Sequence, residues 1–163
     1  MTVSAEGWTQ PVHGMVGSGF RTLDRPGHDG VDLIAAEGTP IRAAAAGTVT
    51  VVRCNAIDVR TGAGWGCDRA GNPVLTRGCG WYADIDHVGG IVTRYCHQLV
   101  QPSVHTGQYV AAGQVIGVVG SSGHSSGPHL HFEVHRGDHT PATAVDPVAF
   151  MAAVGASLKH SER

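Results

Sequence analysis

His129-Leu130-His131 is the sharpest local arrangement of chemistry-bearing residues in the chain. On an extended strand, residues i and i+2 share a face with side chains roughly 6 to 7 Å apart, so two imidazoles there can share a metal. They can also divide the work between a metal and the water it binds. A second arrangement, His28-Asp29-Gly30-Val31-Asp32, sets an imidazole and a carboxylate four residues apart across Gly30, whose freedom permits a tight turn that brings the two together. Either one alone is weak, because a pair of strand histidines is as readily a solvent face. Together His28, Asp32 and His131 supply two nitrogens and one carboxylate oxygen, zinc-type donors that leave the fourth tetrahedral position for water, as in a catalytic site. His97, in RYCHQL, adds a further imidazole. With His129 it provides what a hydrolase needs: one neutral imidazole to take a proton from water, another to donate to a carbonyl oxygen as it becomes tetrahedral.

Short strands must position these groups. Residues 31–34, 48–52, 81–87, 91–99, 115–119 and 129–135 read as strands from β-branched runs and two-residue alternation, and Val88-Gly89-Gly90 reads as a hairpin turn between the third and fourth. In HLHFEVH the odd-numbered polar residues take one face and Leu130, Phe132 and Val134 the other, so the site should lie on one side of a sheet and the core on the other. The four alanines 43–46, bounded by Arg42 and Gly47, are too few to nucleate a helix. Residues 20–32 and 55–80 read as loops, the second long enough to need a function or a staple. Pro147 opens a short C-terminal helix expected over 147–158. The fold class is mainly β: one domain of antiparallel sheet with long loops, divided as an irregular segment 1–18, a catalytic region 19–150 and a tail 151–163.

A length of 163 residues suits one domain, and 24 glycines with only 15% charged residues favour turns over long surface helices. A net charge of −2 argues against nucleic acid or an anionic membrane as partner. No apolar run is long enough to span a bilayer, and residues 1–20 do not have the basic-then-apolar form of an export signal. Cys54, Cys67, Cys79 and Cys96 show no CxxC spacing, which disfavours a structural zinc ribbon. They fit disulfides of an oxidising compartment, with four buried thiols the alternative. The expected bridges are Cys67 to Cys79 across the long loop and Cys54 to Cys96 between the strands that flank it.

The segments HDGVD (28–32), PIRAAAAGTV (40–49), YCHQL (95–99), GQYVAAGQVIGVVGSSG (107–123) and SSGPHLHFEV (125–134) resemble, in order, those of the M23 zinc metallopeptidases, the lysostaphin-like family that cleaves peptidoglycan peptides. The resemblance covers residues 19–148. It implies a lysostaphin-like sheet with loops bordering a substrate groove, Zn2+ held by His28, Asp32 and His131, and catalysis by His97 and His129. It also implies peptidoglycan peptides as substrate, a secreted or cell-envelope location and a monomer. Two departures stand out. Phe20 and Arg21 occupy the stretch where some relatives carry a tyrosine, so Arg21 is a candidate substrate contact, and the cysteine-bearing loop exceeds the family's minimal hairpin. His124 is a second candidate groove residue, and Glu133 either orients a histidine or is an ordinary strand carboxylate. His87, His105, His135, His139 and His160 read as surface or strand-end residues. The competing readings are a non-catalytic wall-binding or amidase-activating module and a sugar-carrier domain. Pentaglycine bridges and cross-links from D-Ala to a diamino acid are both open as substrates, with the missing tyrosine favouring the second.

Overall fold

A computed structural model describes residues 2–160. Seven strands form a continuous antiparallel path: β1 (Met15–Val16), β2 (Val31–Ile34), β9 (His129–Arg136), β6 (Ile91–Gln98), β5 (Thr76–His87), β4 (Gly47–Asp58) and β7 (Tyr109–Val110). An eighth, β10 (Ala144–Val145), pairs with β9, and β3 (Pro40–Arg42) pairs separately with β8 (Val115–Val118). A 3-10 turn at Pro141–Thr143 precedes β10, and an α-helix, α1 (Pro147–Ala153), follows it.

Strand pairing explains how the two faces of the sheet separate. Asp32 stands opposite His131, and His131 opposite Cys96, so β2, β9 and β6 place these three in one row across the sheet. One residue along, Val31, Phe132 and Tyr95 form the next row, on the opposite face, and all three are fully buried. That face carries the core, closed by Ile41 and Ile116 from the two-stranded sheet, Trp8 and Val12 from the N-terminal segment, and Phe150 and Met151 from α1. Burying a side chain of that size is worth about 1.5 to 3 kcal/mol.

Several expected bounds are corrected. The loop over 55–80 shortens to 59–75, because β4 and β5 run twelve residues each and pair as far as Asp58 opposite Thr76. The helix stops at Ala153, since Gly155 follows at φ +78°, a left-handed position that ends helices. Its start is capped by Asp146, which accepts from the Val148 N–H at 2.9 Å. The cysteines bond as Cys54 to Cys67 and Cys79 to Cys96, unlike the expected pairs. Cys54 on β4 and Cys96 on β6 have β5 between them, and two strand spacings of about 4.8 Å put them beyond the roughly 7 Å that a disulfide can span. His87 and His135, expected outside, are buried at 8% and 1% exposure. Residues 2–18 are irregular apart from β1, and the tail runs into residues outside the described range, although Ala156 and Leu158 join the core.

Candidate active site

His28 leads into β2 through a turn that passes so close to β9 that a Cβ on Gly30 would lie 2.5 Å from the Phe132 carbonyl oxygen, and only glycine permits this approach. The turn carries His28 over the row holding Asp32 and His131. Nε2 of His28 lies 3.0 Å from Oδ1 of Asp32 and 3.2 Å from Nδ1 of His131, and the third side of this triangle is 3.1 Å. A tetrahedral zinc with bonds of about 2.0 to 2.1 Å has ligand-to-ligand edges of roughly 3.3 Å, so the triangle is close to one face of such a site.

The outward nitrogens settle what the inward ones offer. His28 donates from Nδ1 to the Gly19 carbonyl at 2.6 Å, and His131 donates from Nε2 to Glu133 at 2.7 Å. With both rings neutral, each turns a lone pair toward the Asp32 carboxylate, so three electron-rich atoms meet where a cation, a shared proton or a metal ion, reconciles them. The electrostatics of the chain alone show the same demand. Burial would push the His131 imidazolium down, but hydrogen bonds to Asp32 and Glu133 outweigh it and raise His131 to about 9. Burial likewise works against ionised Asp32, yet the hydrogen bonds from His131 and His28 hold its carboxyl far below the usual range. Cys96 also lies near His131 and Glu133, but its sulfur is bonded to Cys79.

His97 reaches the site through a β-bulge. From Tyr95 to Gln98, β6 uses one residue more than β5 does between Ala83 and Trp81, and His97 takes a left-handed φ of +63°. Strict alternation would turn its ring away from the row of Cys96 and His131; the bulge returns it to the groove. There His97 donates from Nδ1 to the Ser122 carbonyl at 2.7 Å, and its ring centroid lies 4.8 Å from that of His129. Burial, aided by His131 and His129, lowers His97 to about 3, so it is neutral near pH 7. His129 donates from Nδ1 to the Gly127 carbonyl at 2.8 Å and leaves Nε2 3.6 Å from Asp32.

The five residues thus line one open groove of about 770 Å³, which His124 also lines, with its Nδ1 donating to the Thr76 carbonyl. Arg21 is placed differently. Its guanidinium donates to Asp29 at 2.9 Å and to the Pro141 carbonyl at 2.7 Å, and the arginines lining the groove are Arg25 and Arg77. Arg25 donates to Oδ2 of Asp32 at 3.1 Å and to Ser18 at 2.8 Å. Neither it nor Arg77 stood out in the sequence, where no spacing ties them to the histidines. Glu133 also accepts from Nε2 of the buried His135 at 2.6 Å, which anchors the residue behind His131. The alternation of β9 was the available signal for that contact.

The chain is 31% identical to lysostaphin of Staphylococcus staphylolyticus over 128 residues, 78% of this chain and 22% of the relative. It is 40% identical to the DD-carboxypeptidase/endopeptidase Mpg of Neisseria meningitidis over 106 residues, 65% of this chain and 19% of the relative, so it spans about a fifth of these proteins. The solved structure of lysostaphin from Staphylococcus simulans superposes with a TM-score of 0.72 at 26% identity, covering 93% of this chain and 55% of that one. Residues 26–147, three quarters of the chain, match the model of peptidase family M23, and the chain belongs to that family.

Proposed function

We propose that this domain is a zinc-dependent endopeptidase that hydrolyses peptide bonds in bacterial cell-wall peptidoglycan. The observation that carries the reading is the convergence of Nε2 of His28, Oδ1 of Asp32 and Nδ1 of His131, all within 3.2 Å, beside two further imidazoles whose outward N–H groups are held by backbone carbonyls. A similar protein of Vibrio cholerae, 33% identical over 118 residues, bears the name peptidoglycan DD-endopeptidase ShyC, which supports the substrate class.

His28, Asp32 and His131 would hold the zinc, which when bound supplies a Lewis acid for the scissile carbonyl and a lowered pKa for water. The open groove admits an extended peptide across the site. His97 and His129 each have Nδ1–H committed to a carbonyl, so each can accept a proton only at Nε2. One takes the proton of the attacking water. The other, once protonated, donates to the carbonyl oxygen as it becomes tetrahedral, and either can then deliver a proton to the departing amine. Arg25 holds the second oxygen of Asp32 and so keeps the first directed at the ligand triangle. Two disulfides support a place outside the reducing cytoplasm.

Zinc content and hydrolysis rate, measured together, test the assignment. Asp32→Ala should lose both metal and turnover. His97→Ala and His129→Ala should keep the metal and lose about 10²-fold or more of the rate. Turbidity of wall suspensions reports the rate, and mass spectrometry of the released muropeptides reports the bond. Full zinc and normal turnover in Asp32→Ala would overturn the ligand set, and intact walls with the zinc-loaded protein would overturn the activity.

A further inference from the structure

The charged groups that line the groove can be matched with partners one by one. Asp29 is held by Arg21, Asp32 by His28, His131 and Arg25, and Glu133 by His131 and His135. Arg77 is left over: among the described residues it is the charged side chain lining the groove that has neither an ion pair nor a side-chain hydrogen bond.

Its position is well defined. Arg77 lies on β5, opposite Ile57 of β4 and two residues before the bonded Cys79, while its neighbour Thr76 receives the His124 ring N–H on its carbonyl. Asn55, which follows the bonded Cys54, lines the same wall. In the sheet order, Arg77 stands on the far side of β6 from the ligand-bearing strands, and Arg25 stands at the other end, before β2. The backbone under Arg77 is thus fixed while its guanidinium stays exposed to whatever occupies the groove.

Asp29, Asp32 and Glu133 line the groove against Arg25 and Arg77, so a divalent cation on His28, Asp32 and His131 would turn its balance of fixed charge from negative to positive. We infer that Arg77 is a specificity-determining residue that recognises a free carboxylate on the substrate peptide close to the scissile bond. This rests on the peptidase reading above and sharpens it. The groove is built for cross-links whose stem peptides carry an unamidated carboxylate, in preference to uncharged glycine bridges. The fork of donors on a guanidinium matches the two oxygens of a carboxylate, and no other anion is needed to complete the wall. Two sources present that chemistry, the carboxylate ending a stem peptide and the second carboxylate of a diamino acid.

The zinc-loaded protein and its Arg77→Gln and Arg77→Lys variants would be compared on three synthetic cross-linked peptides: one with both carboxylates free, one with only the terminal carboxylate amidated, one with only the diamino-acid carboxylate amidated. The parent protein should cut the free acid about fivefold better in kcat/KM than one of the two amides, the upper range for a charge pair open to solvent. Which amide suffers identifies the carboxylate. In Arg77→Gln the ratio should collapse toward one, in Arg77→Lys it should be partly restored, and added salt should shrink it in the parent protein. A ratio that survives Arg77→Gln, a parent protein that prefers none of the peptides, or an equal loss on all three would overturn the inference and leave the peptidase reading standing. Failure of the zinc-loaded parent protein to cut any of the three would overturn both.

Discussion

Behind every imidazole at the centre stands an oxygen that decides which nitrogen faces forward. For His28, His97 and His129 it is a backbone carbonyl, which accepts a hydrogen bond whatever the pH; for His131 it is the Glu133 carboxylate. Glu133 therefore does more than orient, because its charge makes the His131 ring a stronger donor to a metal. Glu133→Gln retains an oxygen for the His131 N–H but removes that charge, and it should weaken zinc binding about 10- to 100-fold in competition with a chelator. Unaltered zinc affinity in that variant would make Glu133 a spacer. At this scale much of the arrangement was legible pair by pair, since a spacing of four brings His28 to Asp32 and a spacing of two sets His129 beside His131, while the meeting of the two pairs depends on β2 lying against β9. Arg25 was not, because its link to Asp32 runs through the course of a loop and leaves no periodic mark.

Strands explain where reading by alternation succeeds and where it stops. In β9 the two-residue period sorts Leu130, Phe132 and Val134 into the core and the odd-numbered residues toward the site. In β6 the same rule turns His97 the wrong way, and only the bulge corrects it. An insertion of one residue in a pairing register has no signature in one strand's own sequence. The left-handed backbone there costs a side-chain-bearing residue about 1 to 2 kcal/mol. His97→Gly should therefore unfold at higher temperature than His97→Ala although both lack the imidazole, and the reverse order would show that the φ of +63° carries no strain. On the neighbouring strand, His87 donates from Nδ1 to the Ala46 carbonyl and accepts at Nε2 from Thr93, which in turn accepts from Tyr95. A neutral ring completes this chain, and burial lowers its pKa below the ordinary 6.5. The unfolded chain takes up that proton first as the pH falls, so the stability His87 contributes is full above about 6.5 and is lost below it. Melting temperatures measured from about pH 7 to about pH 5 should fall less steeply in His87→Gln than in the parent protein. An identical slope would mean that His87 titrates alike in both states.

Over the whole molecule, one face of a curled sheet stores the core and the other displays the groove, and one of the two disulfides, Cys79 to Cys96, lies at the groove. Cys54 to Cys67 closes the loop after β4, and Cys79 to Cys96 ties the rim of the groove to the strand that carries His97. Peptide mapping of the unreduced protein should recover these two pairs and no free thiol. Replacing Cys54 and Cys67 together should cost about 3 kcal/mol for a loop of that length. The mainly β class and the single core followed from composition and alternation, whereas the bridge partners did not, because they depend on which strand lies between which. That order has a consequence for biogenesis. With separations of 13 and 17 residues, the first cysteine bonds the second and the third bonds the fourth along the chain. A polypeptide oxidised as it emerges from a translocation pore into an oxidising compartment pairs its first two thiols before the third appears, and its last two thereafter. For a chain exported in that way, the native connectivity is the one that pairing in order of emergence favours, and its formation calls for an oxidant without reshuffling of bridges.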